Sequence, residues 1–141
     1  MTLRLLAEDA DDLQVISAAL QDAVATVGDI VWDARARTLT IGCNRYRWEG
    51  KTRRGGGERV RAALQIGNVL SVRSRNLRLG ASTAVVSLLA LSWEPGEPPG
   101  GQLVLTLSGG GEVRAEAEAL DVLLADVSPP WPTSRTPKHE G

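Results

Sequence analysis

Phenylalanine is absent from this 141-residue chain, and cysteine, methionine, tyrosine and histidine occur once each. Each scarcity excludes something. With Cys43 alone, no internal disulfide can form, which fits a reducing compartment. The sole histidine, His139, lies in a Pro-rich C-terminal stretch where nothing would fix it beside a nucleophile, so Ser-His-Asp and Cys-His relays are not expected. One His and one Cys, with no ligand spacing around them, do not make a zinc site. No run approaches the ~18 uncharged apolar residues of a membrane span. Glu8 and Asp9 interrupt the N-terminal apolar run before it reaches signal-peptide length. These absences predict a soluble cytoplasmic protein with no metal, no cofactor, no membrane association and no catalytic residues: not an enzyme.

Two Gly-rich stretches invite a phosphate-binding reading and fail it. Gly50-Lys51-Thr52 imitates the end of a P-loop, but the motif's first glycine position is Arg45. Arg53-Arg54-Gly55-Gly56-Gly57 follows the Thr where a helix N-terminus should point its N–H groups at phosphate. Residues 50–57 are expected as a flexible basic loop, and Gly109-Gly110-Gly111 as a turn.

What the chain does have is segregated charge. Residues 35–78 carry twelve Arg or Lys against Glu49 and Glu58, while the remainder holds four basic residues against fifteen acids. A formal net charge of −1 hides this division. A cationic middle flanked by acidic ends points to an anionic or acidic partner. Apolar content of 43% and charged content of 23% are ordinary for a globular domain. At this length the core needs neither disulfide nor metal.

Periodicity supplies an outline. Leu13, Ile16, Leu20, Val24 and Val27 recur at helical spacing after Asp9, Asp11 and Asp12, which suit a helix start, and Gly28 is a natural stop. Residues 29–33 and 38–49 read as a hairpin. Leu39, Ile41 and Cys43 share one parity and Tyr46 and Trp48 the other, which predicts a bulge or bend near Asn44. Residues 59–75 alternate with Val60, Ala62, Leu64, Ile66, Leu70 and Val72 on one face, interrupted at Gly67-Asn68 by either a bulge or a turn. Residues 84–93 read as a central strand buried on both faces. A turn at 94–101, a strand through Leu103, Leu105 and Leu107, and another at 112–116 follow. Leu120, Leu123, Leu124 and Val127 then fit one face of a closing helix.

The expected fold is α+β: a mainly antiparallel, strongly bent sheet of about six strands with an N-terminal and a C-terminal helix, preferred as a pleckstrin-homology-like barrel. A single domain over residues 1–128 and a Pro-rich tail over 129–141 are expected. Trp131 in that tail should dock back on the domain, with disorder beyond Thr133.

The candidate site is a basic sheet face. Arg45 and Arg47, Arg59 and Arg61, and Arg73 and Arg75 each share a strand parity, so neighbouring strands would align six guanidinium groups beside Tyr46 or Trp48. Such a face suits phosphate or carboxylate, or stacked bases. It equally suits an acidic protein, or plain solvation. A protein partner or self-association is expected first, and nucleic acid or another polyanion second.

The chain also resembles a family of short proteobacterial proteins catalogued only as a domain of unknown function. The resemblance is carried by Leu3-Arg4-Leu5-Leu6-Ala7-Glu8-Asp9 with Asp11 and Leu13, by residues 59–75 ending in Val69-Leu70-Ser71-Val72-Arg73-Ser74-Arg75, and by Trp131-Pro132-Thr133 with Pro137 and His139. It implies a bacterial cytosolic setting and brings no activity or catalytic residue.

Overall fold

The computed structural model describes residues 3–49 and 57–133. The Gly50-Lys51-Thr52 segment, most of the expected basic loop, the tail beyond Thr133 and His139 lie outside the described residues.

The N-terminal strand β1 (Arg4–Ala7) leads into α1 (Ala10–Leu20). Asp9 caps the helix, its side chain accepting from the Asp12 N–H at 2.8 Å, and Asp11 and Asp12 oppose the dipole in the first turn. Leu13, Ile16 and Leu20 face the core. The spacing predicted a helix reaching Val27, but α1 stops at Leu20. Asp22 takes a left-handed φ of 62°, and the next residues form β2 (Ala23–Thr26), with Ala23 and Ala25 inward. Val24, expected on the helix's apolar face, is only half-buried, and the alternating Ala23 and Ala25 take the core side where β7 pairs with this run.

After a 3-10 turn at Val27–Asp29 come β3 (Ile30–Asp33), β4 (Thr38–Tyr46), β5 (Gly57–Ile66), β6 (Val69–Arg75), β7 (Val85–Pro95), β8 (Gly101–Leu107), β9 (Glu112–Ala117), β10 (Val122–Asp126) and β11 (Trp131–Thr133). The expected C-terminal helix is absent. Of its apolar residues, Leu123 and Leu124 fall in β10, which lies between β1 and β5 and pairs with both, while Leu120 and Val127 lie beyond the strand's two ends. Two flanking strands satisfy the backbone of this five-residue run on both sides, which a single short helical turn could not match.

The sheet runs β1-β10-β5-β4-β2-β7-β8-β9-β6, with β3 beside β4 and β11 beside β5. Every pairing is antiparallel. The expectation of about six strands with an N-terminal and a C-terminal helix, closed at one end by the latter into a barrel, is therefore corrected: the described chain has eleven strands, one α-helix and an open sheet. Nine flat strands at a spacing of ~4.8 Å would span ~40 Å. Yet Ala7, Leu64, Ile41, Ala23, Leu88, Leu105, Val113 and Val69, from strands along the whole path, share one core with α1. The sheet curls around that core.

Two irregularities explain side chains that alternation placed inside. The register shifts between Val69 and Ser71 on β6, and between Leu88 and Ala90 on β7. Each extra residue is pushed outward, leaving Leu70 44% and Leu89 41% exposed, while Leu88 and Leu91 both face inward. The strand β7 is not buried on both faces: Val85, Ala90 and Ser92 are exposed as well. Gly67-Asn68 is a corner. β5 and β6 pair with different neighbours, and Asn68 (φ 57°) turns the chain from one arm of the sheet to its far edge. On β4, no register break occurs at Asn44: pairing with β5 is continuous from Leu39 to Tyr46. Arg45 and Tyr46 are both buried because both sheet faces are covered at that end.

Trp131 to Thr133 pair with Arg59 to Gly57, so this part of the Pro-rich stretch docks on the domain edge.

Candidate functional site

Register disperses the six candidate arginines. Arg45 lies opposite Val60, whereas Arg61 lies opposite Asn44 and Arg59 opposite Tyr46. Alternation therefore puts Arg45 and Arg47 on the core-facing side of the sheet and Arg59 and Arg61 on the other. Arg73 and Arg75 are on β6, at the far edge. The basic face expected from strand parity does not form as one surface.

Arg45 is 0% exposed. Its Nε donates to Asp126 Oδ1 at 2.8 Å and its Nη2 to Asp126 Oδ2 at 2.9 Å, while Nη1 and Nη2 reach Glu49 at 2.9 and 2.6 Å. Two carboxylates thus surround one buried cation. Burial would raise the Asp126 carboxyl, but hydrogen bonds from Arg45 and from the Leu3 N–H outweigh it and hold it below the usual range. Glu49 is held low mainly by the Arg45 hydrogen bond. Arg47 pairs with Glu58.

On the opposite face Arg61 lies across β4, its Nη2 2.9 Å from Asp29 and its Nη1 3.2 Å from the Asn44 side chain. Gly42 makes this possible, since a Cβ there would sit 2.5 Å from Nη2 of Arg61. Arg59 donates to the Asn44 carbonyl at 3.0 Å and lies over the Tyr46 ring at 5.9 Å. The Tyr46 ring in turn meets Trp48 edge-on, with centroids 4.7 Å apart. Four of the six arginines are thus occupied within the domain.

Cys43 is buried, and burial pushes its thiol up to about 12 despite Arg61 and Arg45 nearby. At neutral pH it is a small apolar core side chain. Among the described residues no group of three or more His, Cys, Asp or Glu is placed to hold a metal.

A different feature has the shape of a binding site. β2 ends at Ala23, opposite Leu88, so that edge of β7 has no strand beside it over residues 89–95 among the described residues. α1 lies there instead, and the Ser17 hydroxyl accepts the Leu91 N–H at 3.0 Å. Peptide groups alternate in direction along a strand, so the Leu91 C=O and the Trp93 N–H and C=O face the same way. Between helix and strand lies a cleft of about 480 Å³, lined by Leu13, Gln14, Ser17 and Ala18 on one wall and by residues 89–93 on the other. Sequence reading missed this cleft. Its only sequence signal is Ser17 on the polar side of α1; the bulge that turns Leu89 outward left none.

The fold and cleft define a curled antiparallel β-domain with one helix laid along an incompletely paired strand. The chain belongs to the family described as protein of unknown function (DUF2948), whose profile matches residues 3–139. No curated protein and no solved structure matches the chain.

Proposed function

We propose that this protein is a non-enzymatic docking domain that takes an extended segment of another polypeptide into the cleft between α1 and β7. The observation that carries this reading is the unpaired edge of β7 beyond Leu88, with backbone groups of Leu91 and Trp93 facing a cleft of about 480 Å³. An extended peptide would pair with those groups as a short added strand, and its alternate side chains would rest on Leu89 and Ala18. Pro95, which has no N–H, ends the pairing, so the added strand is short and the interaction reversible. No catalytic role is assigned. The high thiol pKa of Cys43 and the ion-paired state of Arg45, Arg47 and Arg61 support binding rather than chemistry. A reducing, cytoplasmic setting accords with the unpaired, buried cysteine.

The test is a photo-crosslinker placed at Gln14 in the intact protein in its host, followed by amide exchange on the recovered complex. A defined partner should crosslink at Gln14 and not at a control position on β9, and Ala90→Arg should abolish it. In the complex the Trp93 amide should become protected from exchange. A partner that survives Ala90→Arg, or a Trp93 amide still exchanging freely when bound, would overturn the reading.

A further inference from the structure

The outer face of β8, β9 and β6 contains a juxtaposition that folding alone does not favour. Arg73 on β6 lies directly opposite Arg114 on β9. Like charges in direct cross-strand register are destabilising. Arg114 is fully engaged, bonding Glu112 at 3.0 Å, Glu94 at 2.9 Å and Gln102 at 3.0 Å. Arg75 meets Glu112 only loosely, at 3.7 Å, with its side chain 72% exposed. Arg73 has no acidic partner among the described residues. A recess of about 460 Å³ opens among Arg73, Ser74, Arg75, Glu112 and Arg114.

We infer that this recess is a binding site for a small phosphate-type oxyanion, held chiefly by Arg73 and Arg75. A compact dianion there would accept charge-assisted bonds from both guanidinium groups and relieve the repulsion between Arg73 and Arg114. The surrounding face selects for size. Glu116 lies opposite Ser71, two pairs along from Arg73 and on the same face, and Glu94 and Glu112 flank Arg114. Three carboxylates matched against three arginines leave the wider face near neutral, so it offers a long polyanion little attraction beyond the recess. Glu112 is held in its ionised form mainly by its hydrogen bond from Arg114, so it opposes the ligand and sets a modest affinity. The site is separate from the α1–β7 cleft and does not depend on it.

Titration of the intact protein with inorganic phosphate, with phenyl phosphate and with sodium chloride at matched ionic strength tests this, read by the arginine Nε–H signals. Phosphate and phenyl phosphate should shift the Arg73 and Arg75 signals saturably, and chloride should not. Arg73→Gln should weaken binding about tenfold, the loss of a charge-assisted contact, and Glu112→Gln should tighten it severalfold. Arg73 is exposed and Glu112 part-buried, and thermal unfolding in phosphate-free buffer should show each variant folded. Arg73→Gln should be no less stable than the original, because it removes a like-charge pair. Shifts that never saturate, that chloride reproduces or that persist unchanged in Arg73→Gln would overturn the inference. So would binding of an oligonucleotide by a protein that ignores inorganic phosphate.

Discussion

Arg45 illustrates how far a side chain's meaning depends on its partner. Its guanidinium is fully buried, and Asp126, 2% exposed at its side chain, meets it with two hydrogen bonds. Removing one member of such a pair strands the other charge away from water. Asp126→Ala should therefore cost about 3–5 kcal/mol in urea unfolding. Arg37 and Glu118, both more than half exposed, form a pair whose loss should change stability by less than about 1 kcal/mol. The same carboxylates give the protein an acid limit. Asp126, Asp29 and Glu49 are all held below their ordinary values in the fold. A depressed carboxyl contributes stability that is full above its unfolded pKa and is lost as pH falls through the folded value. Stability should begin to fall below about pH 4.5 and decline further with acid, and in Asp126→Asn that acid limb should flatten. Equilibrium unfolding at a series of pH values checks both.

At the scale of elements, close packing and register set the sensitivities. Gly42 is open to nothing larger because Arg61 lies over it. Gly42→Ala should push the Arg61 guanidinium off Asp29, and because that group is the end of a flexible, part-exposed side chain the cost should stay near that of the lost ion pair, about 1 kcal/mol. Gly42→Ala/Arg61→Ala should recover part of that loss, which a double-mutant cycle measures. On β7, two adjacent leucines should behave oppositely. Leu88→Ala should cost about 2–5 kcal/mol because Leu88 is in the core. Leu89→Ser should change stability by less than about 0.5 kcal/mol because the bulge exposes it. Equal costs would mean that the bulge is misplaced.

At the scale of the molecule, one core joins both arms of the sheet and α1. Unfolding should accordingly be a single cooperative transition, with tryptophan fluorescence and far-ultraviolet dichroism giving coincident curves. Two separated transitions would show that the arm containing β8, β9 and β6 is stable without the other. Among the described residues no helix is long and apolar enough to cross a membrane. The charge segregation so plain along the chain largely dissolves in three dimensions. Arg45 and Arg61 find Asp126 and Asp29, folded against them from the acidic flanks, while Arg47 pairs with Glu58 inside the basic segment itself.

Local sequence by itself determined the start of α1, the hairpin from Ile30 to Tyr46, the turns around Pro95 and Gly109, and the strands β8 and β9. Capping, alternation and turn chemistry act over a few residues, so their signals survive without knowledge of neighbours. Only tertiary structure decided that residues 23–26 and 122–126 are strands, because short apolar runs fit either period until flanking backbones supply their hydrogen bonds. The same holds for the arginines. A one-residue difference in register moves a side chain to the opposite face, and register is fixed by pairing between distant segments. Arg45 and Arg61 therefore ended on opposite sides of the sheet, although each strand read alone gave no reason to separate them. The open edge of β7 belongs to the same category, because it exists only where β2 stops and α1 takes its place.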